Sequence, residues 1–598
     1  LQTNQARLAA AVALHRQGRL TEAETLYQDI LRSDPHHFDA MHLCGVVALQ
    51  TRRTAQGVAL VRDAIALNGG VAEAHSNLGN GLRELRRYDE ALASFDRAIA
   101  LKPDDAQAHR DRAMALQNLG RHAEALASLG EAVALKPDLE FVHGMLTHTK
   151  MLMCDWRGLD CDVNALVERI ERGETAAMPF AVVPWSDSPR LQRKAAEIYV
   201  RAKCPANAVL PKIARYPRHD RLRVGYFSAD FHNHATAYLA AELFERHDAS
   251  SFEITAFSFG SDAGDAMRQR LMAGFDRFID VRNRSDQDVA GLARDLEIDI
   301  AVDLKGFTKD FRTGIFACRA APIQVNYLGY PGTMGADYID YIIADPTLIP
   351  ASEQSHYAEQ IAYLPDSYQV NDRQRRIADR PVTRAEAGLP PDGCVFCCFN
   401  QSLKITPDVF DGWMRILRQV AGSVLWLLQD NDAATANLRK AAIDRGVDAG
   451  RLVFAQRQPL PDHLARHRLA DLFLDTAPCN AHTTASDALW AGLPVLTRMG
   501  ATFASRVGAS LLHAVGLQEM ITTSQEAYEA KAVTLASNPE ALMAVKQTLA
   551  RNRLTTPLFD TARFTTHLEA AYRAMYARYQ AGLPPAPIRV PPTGMCGG

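Results

Sequence analysis

The feature that most constrains this chain is a period. Ala6, Ala40, Ala74 and Ala108 stand 34 residues apart, and so do Pro35, Gly69, Pro103 and Pro137. Small residues recur in two more registers, Ala11, Gly45, Gly79 and Ala113 in one and Ala23, Gly57, Ala91 and Ala125 in the other. Apolar Tyr27, Val61, Phe95 and Leu129 repeat between them. Self-similarity at this spacing marks a supersecondary unit stacked on copies of itself. Small side chains let two helices approach, and a proline, lacking an N–H, ends the second helix of each unit.

This is the tetratricopeptide pattern, and "AHSNLGNGLRELRRYDEALASFDRAIALKPDD" is a near-ideal copy of it. We read about four repeats over 4–141. Such a stack offers a concave surface for peptides or partner proteins; a scaffold or dimerisation role without substrate contact is the alternative. Residues 142–219 read as a helical joint of mixed helix and loop, ending in the basic "PKIARYPRHDR".

From residue 221 the periodicity changes. "RLRVGYFSADF", "FEITAFSFG", "FDRFIDV", "IDIAVDLKG", "IQVNYLGYPG" and "YIIADP" are short β-branched and aromatic runs, several of them separated by helix-length stretches. That alternation predicts a parallel sheet covered on both faces. A second series follows: "CVFCCFN", "SVLWLLQD", "RLVFAQR", "DLFLDT", "LPVLTRMG" and "MITTS". The polar, proline-containing stretch 371–393 lies between the two series. We expect an N-terminal lobe over 220–385, a C-terminal lobe over 386–558, and a ligand cleft at the C-terminal ends of their strands. A last helix near 559–581 and an irregular Pro-rich tail make up 559–598.

The bulk numbers exclude several classes. A formal net charge of -3 over 598 residues argues against a general nucleic-acid binder or a basic membrane-surface protein. The longest apolar runs are far short of the roughly 18 residues of a spanning helix. The N-terminal "LQTNQARLAAAVALHRQG" is amphipathic and broken by charge, unlike a secretory signal, although the chain begins at Leu rather than Met. Ten cysteines over this length make no disulfide framework, and Cys394 and Cys397 fall in a run that reads as a buried strand. A reducing cytoplasm is the simplest expectation.

P-loop, dinucleotide and nucleophile-elbow motifs are absent from the sequence. Three polar clusters remain, each just after a strand. In "SADFHNHATAYL", Asp230, His232 and His234 either form a loop that caps a helix and faces water, or provide an active-site His that binds substrate or accepts a proton. In "CFNQSLKITPDVF", Gln401 and Lys404 precede Thr406 and Pro407, which look like the Ncap and N1 of a helix. A Lys beside a helix start suits an anion, though a surface Lys is the plainer reading. In "CNAHTTASDALWAGLPV", His482, Thr483 and Thr484 open a helix and Asp487 lies one turn in, where it either opposes the dipole or accepts ribose hydroxyls. The second and third clusters together describe a nucleotide diphosphate site that needs no metal. "QDNDAAT" contains a formal D-x-D, read here as a turn.

With these residues in view, the chain resembles the O-GlcNAc transferase family of bacteria: tetratricopeptide repeats joined to a two-lobed α/β catalytic region of the GT-B type. The similarity covers nearly all of 4–580 and rests on "LRVGYFSADFHNHATAYL", "APIQVNYLGYPGTMGADYIDYIIAD", "CFNQSLKI", "SVLWLL", "LADLFLDTAPCNAHTTASDALWAGLPVLT" and "ASRV" taken together. It implies an inverting, metal-independent transfer of N-acetylglucosamine from UDP-GlcNAc to protein Ser or Thr hydroxyls, with no cofactor. By resemblance, Lys404 lies against the diphosphate and Gln401 bonds a phosphate. His482 and the amides of Thr483 and Thr484 cradle the donor, and Asp487 holds the ribose. His463 and Arg466 lie near the uridine, and Leu328, Gly329 and Cys479 line the sugar pocket. His234 matches the family's proposed general base. Departures are Leu460 and Leu403, where the family carries Lys and Tyr, and Ala9 and Leu43, which interrupt an Asn ladder that keeps Asn77 and Asp111. The implied partners are UDP-GlcNAc and protein acceptors recruited by the repeats, with no nucleic acid and no membrane. A related transferase using another UDP-hexose or an Asn acceptor, and a repeat scaffold with a regulatory UDP-sugar pocket, are the competing readings.

Overall fold

The structure, a computed structural model, describes residues 3–592. Its packing divides the chain into two units, one running to Thr149, the other built on Lys150–Val281 and the chain from Asp286 onward.

The first unit is a stack of helix pairs: Asn4–Arg16 with Leu20–Ser33, Phe38–Gln50 with Thr54–Leu67, Ala72–Glu84 with Tyr88–Leu101, and Ala106–Asn118 with His122–Leu135. The repeating small residues sit where the helices of a pair cross. A Cβ built on Gly79 would stand 2.7 Å from the Phe95 ring, and one on Gly45 2.7 Å from Val61. Tyr27, Val61, Phe95 and Leu129 are fully buried beneath them. The turn register is held by a second periodic contact. His75, His109 and His143 each hydrogen-bond the carbonyl of Gly69, Pro103 and Pro137 at 3.0, 3.0 and 2.7 Å. Asn77 and Asp111 bond within the stack, to His42 and to Asn80.

The second unit opens with helices, among them Leu159–Glu171 and Pro189–Lys203. Its strands are β1 Leu222–Ser228, β2 Phe252–Ser258, β3 Arg277–Asp280, β4 Ile300–Asp303, β5 Ile323–Asn326, β6 Tyr341–Ala344, β7 Gln360–Tyr363, β8 Val395–Cys398, β9 Val424–Leu428, β10 Leu452–Ala455, β11 Leu472–Leu474, β12 Val495–Arg498, β13 Ile521–Thr522 and β14 Ile588–Arg589. They form two parallel sheets, in the orders β14-β7-β6-β5-β4-β1-β2-β3 and β10-β9-β8-β11-β12-β13. Central strands such as β4, β5 and β8 are buried along their whole length, as helices on both faces require. In both sheets the order reverses beside the first strand, between β1 and β4 and between β8 and β11. Loops leaving such a pair diverge to opposite faces and open a crevice.

The polar stretch 371–393 between the two strand series begins buried, at Asn371, Asp372 and Arg375. The tail is not irregular throughout, because β14 pairs with β7 at the edge of the first sheet; residues 593–598 lie outside the described residues. The helix Thr561–Gln580 also returns to the first sheet. Tyr572 and His247 both bond the Tyr226 hydroxyl, at 3.2 and 2.8 Å, and His247 bonds Glu569. Among the described residues no helix is long and apolar enough to cross a membrane.

Candidate active site

The second sheet's crevice is built from the exits of β8 and β11. After β8 the chain makes a single tight turn, Ser402–Lys404. Ser402 is buried; its N–H donates to Asp430 (3.1 Å) and its hydroxyl to the Leu152 carbonyl (2.6 Å). Leu403 drops into an apolar slot with Met151 and Leu159, which accounts for Leu at that position. With its two neighbours fixed, Lys404 is aimed: its Nζ donates to the Asn480 carbonyl at 2.6 Å and reaches the buried Cys479 sulfur. An ammonium has three N–H groups, so one is left for an anion. Gln401 stays exposed, and its carbonyl accepts from the Lys404 amide. Thr406 and Pro407 are the Ncap and N1 of the helix Pro407–Gln419.

After β11 the loop wraps around one buried carboxylate. Asp475 accepts from the amides of Thr476 (2.7 Å) and Ala481 (2.6 Å) and from the Thr497 hydroxyl (2.6 Å). Burial still pushes it up to about 6. This loop delivers the chain to the helix Thr483–Trp490. His482 occupies the Ncap position, but no side chain caps the helix; the ring bonds the Ala504 carbonyl (3.3 Å) instead. Burial, and then Lys404, push His482 down to about 3, so its imidazole is neutral. Thr483 and Thr484 are half-buried in the first turn, and the Thr484 hydroxyl donates to Asn400. Asn400 in turn donates to Thr476 (2.8 Å), tying the two loops together. Uncapped amides and a lysine converge on one place, which is the chemistry of an anion site.

One turn into the helix, Asp487 is buried and pairs with Arg375 at 2.5 Å, the two side chains being 6% and 1% exposed. Burial outweighs the guanidinium and raises Asp487 to about 6. Its second oxygen faces His463 Nε2 at 3.9 Å. His463 and Arg466 share the helix Leu460–Arg466 and bond each other (2.5 Å), and the guanidinium lies 4.3 Å from the Phe399 ring centroid. Burial, helped by His467 and Arg466, takes His463 down to about 2. Asp487, His463, Arg466 and Phe399 thus form one packed cluster beside the helix that opens at the anion site.

The first sheet's crevice lies between β1 and β4. His234 is the Ncap of the helix Ala235–Arg246: its Nδ1 accepts from the Thr236 amide at 3.2 Å. Asp230 is buried and takes the Lys305 ammonium at 2.7 Å. After β5, Leu328 has φ +67°, a left-handed conformation that is strained for a branched side chain and common at ligand sites. Gly329 follows it, and a Cβ there would meet the Leu304 carbonyl at 2.0 Å. Tyr238, on the His234 helix, is close enough to Asp487 to feel its charge.

The structure therefore gathers Lys404, Cys479, His482, Thr483 and Thr484 into one cluster and Asp487, His463 and Arg466 into a second beside it. His234, Leu328 and Gly329 stand on the opposite lobe, and Gln401 stands at the exposed edge. The D-x-D reads as a turn: Asn431 caps the helix Asp432–Asp444, and Asp430 binds Ser402 and Arg457. Sequence reasoning missed Arg375, Asp475, Asn400 and Lys305. It also missed Gln369, which is 1% exposed and has no hydrogen-bond partner on either amide atom. A polar cavity of about 650 Å³ bounded by Asp187, Arg498 and Arg506 meets this site at Ala477–Pro478, but neither Lys404 nor His234 lines it.

Known proteins resemble this chain along most of its length. Residues 208–382 and 377–568 match the family described as glycosyl transferase family 41, and residues 2–37 and 78–145 match tetratricopeptide repeats. The chain is 35% identical over 467 residues to an Arabidopsis thaliana protein named probable UDP-N-acetylglucosamine–peptide N-acetylglucosaminyltransferase SEC, covering 74% of this chain and 48% of that protein. It is 28% identical over 560 residues to the Caenorhabditis elegans UDP-N-acetylglucosamine–peptide N-acetylglucosaminyltransferase, covering 72% and 49%. The chain thus spans about half the length of the curated relatives it matches. A solved structure of a variant of the Thermobaculum terrenum O-GlcNAc transferase superposes with a TM-score of 0.64 at 27% identity, covering 97% of this chain and 100% of that one. With the family match extending over more than half of its residues, this chain belongs to glycosyl transferase family 41.

Proposed function

We propose that the protein transfers N-acetylglucosamine from UDP-GlcNAc to Ser or Thr hydroxyls of proteins, with inversion and without a metal. The observation that carries this reading is the convergence of Lys404 Nζ, the uncapped start of the helix Thr483–Trp490 and the buried Asp487. Amides and a cation suit a diphosphate, and a carboxylate one turn on suits ribose hydroxyls. The flat side-chain faces of His463, Arg466 and Phe399 suit a pyrimidine.

The acceptor oxygen attacks the anomeric carbon from the side opposite the leaving UDP, and negative charge grows on the β-phosphate. With the diphosphate at the helix start, Lys404 and the helix amides stabilise charge where it develops without reorganising. Gly329 lets the β5 exit close on the Leu304 carbonyl, which fixes the loop beside the sugar, and the small Cys479 leaves room for an N-acetyl group. Both ring positions of His482 and His463 are neutral at physiological pH, so neither competes with Lys404 as the cation. The repeats offer the surface for protein acceptors.

The test is a panel of UDP-sugars against the purified chain, followed by mass spectrometry of acceptor proteins, with and without EDTA. The reading expects N-acetylhexosamine on Ser or Thr from UDP-GlcNAc, undiminished by the chelator. Transfer of another hexose, or modification of Asn, would replace it with the related-transferase reading. Binding of a UDP-sugar without transfer would leave a repeat scaffold with a regulatory pocket.

A further inference from the structure

The first lobe's crevice holds a buried ion pair that the proposed chemistry does not use. Lys305 and Asp230 sit at the ends of adjacent strands, since β1 and β4 pair with Phe227 opposite Asp303. Their ion pair is short (2.7 Å) and desolvated, with side chains 3% and 9% exposed. The backbone that carries Lys305 is fixed, because its own amide and that of Gly306 donate to Asp303 (2.8 and 3.1 Å), and Gly306 at φ +51° packs against Tyr330. The same Asp230 oxygen that takes the ammonium lies 3.4 Å from His234 Nδ1.

His234 Nδ1 therefore has two candidate partners that demand opposite protonation. The Thr236 amide, at 3.2 Å, needs Nδ1 without a proton. A bare Asp230 carboxylate would draw a proton onto Nδ1. In a neutral imidazole only one ring nitrogen carries hydrogen, and its partner decides which. We propose that Lys305 is a positioning residue: by neutralising Asp230 it leaves Nδ1 to the Thr236 amide, so that His234 is a neutral ring that offers an Nε2–H donor to the reacting groups. This rests on the transferase reading above, and it recasts His234 as a binder rather than the proton acceptor. Nδ1 points inward to the helix start and to Asp230, and the side chain is 42% exposed, so Nε2 faces the crevice. The charged groups around the ring are Asp230 and His232 from its own loop and Lys305 and Asp310 from the β4 exit. Burial, followed in order by Asp230, Lys305, His232 and Asp310, leaves the balance lowered.

The experiment follows the His234 imidazole nitrogens by NMR in the full chain labelled at histidine, with His234→Gln identifying the signal. The wild type is expected to show the Nε2–H tautomer at neutral pH. Lys305→Met releases Asp230 and should raise the His234 midpoint by about one pH unit. Lys305→Arg should restore the wild-type midpoint. Lys305→Met combined with Asp230→Asn should return it to the wild-type value or below, and this pair covers the case in which the single variant, with a lone buried carboxylate, does not fold. An Nδ1–H tautomer in the wild type, an unmoved midpoint in Lys305→Met, or a raised one in the double variant would overturn the proposal. The NMR titration needs no turnover, so absence of transfer from every UDP-sugar would defeat the transferase reading while leaving this one measurable.

Discussion

Donor binding should depend on pH through Asp487, and the structure sets both the midpoint and the sign. Burial raises the Asp487 carboxyl to about 6, against the pull of Arg375. A carboxylate accepts two ribose hydroxyls; a protonated acid loses most of that. Affinity for UDP-GlcNAc is therefore full above the midpoint and falls as pH drops through it, by about tenfold at one unit below. UDP-GlcNAc is a diphosphate diester and carries no group titrating there, and His463 and His482 sit far lower. Asp475 is raised to the same region, so a second variant must separate the two. Asp487→Asn should bind weakly and flatly across the range. Arg375→Met should carry the midpoint higher, so that it binds poorly near neutrality and recovers in alkali. The assay is calorimetric titration with UDP-GlcNAc between pH 5 and 9, with circular dichroism confirming the fold at each pH. A wild-type affinity that does not change between pH 5 and 7, or an Asp487→Asn variant that keeps the wild-type slope, would refute the reasoning.

The same shift makes a stability claim. A carboxyl raised on folding binds its proton more tightly in the folded state, so its penalty is absent below the unfolded value and complete above about 6. Asp487→Asn lifts that penalty but leaves the buried Arg375 guanidinium without its partner, so it should destabilise the protein by about 3–5 kcal/mol at neutral pH, read by urea denaturation, and by less in acid, where Asp487 is itself protonated. Gly329→Ala should keep the fold and lose donor binding by about tenfold or more, because its Cβ would push the β5 loop off the Leu304 carbonyl; unchanged calorimetric affinity would contradict this. Gly79→Val should cost about 1–3 kcal/mol in the repeats by overpacking against Phe95, leave donor affinity unchanged, and show as a lower midpoint in the thermal melt. Gln369→Met replaces a buried amide that bonds nothing, and should raise stability by about 1–3 kcal/mol in the same denaturation assay.

What the sequence made legible was what repeats or alternates. Gly79 and Phe95 announce a helix crossing because the same pair of sizes recurs in every repeat. β1 and β8 announce themselves as continuous apolar runs between turns. β7 and β14 were not seen: "QIAY" is short and begins polar, and Ile588–Arg589 sits inside a proline-rich tail whose pairing comes only from the edge of the first sheet. The site was legible where a helix start concentrates polar residues, as at His482 to Asp487. Arg375 was invisible because it lies in "NDRQRRIADR", where one buried arginine among exposed ones has no local mark. Lys305 and Asp230 were separately visible as strand-end residues, but only the β1–β4 pairing places them side by side. His234 caps a helix, as one of its two sequence readings has it.

The central claim is that Lys404 carries the charge of the departing UDP, and single-turnover transfer tests it most directly. Enzyme in excess of UDP-GlcNAc is mixed with an acceptor protein, and N-acetylhexosamine transfer is timed in wild type, Lys404→Arg and Lys404→Met, with donor affinity measured on the same samples. The account predicts that Lys404→Met slows transfer by about 10²–10³ or more once donor is saturating, with the fold intact. Transfer by Lys404→Met at the wild-type rate would contradict it.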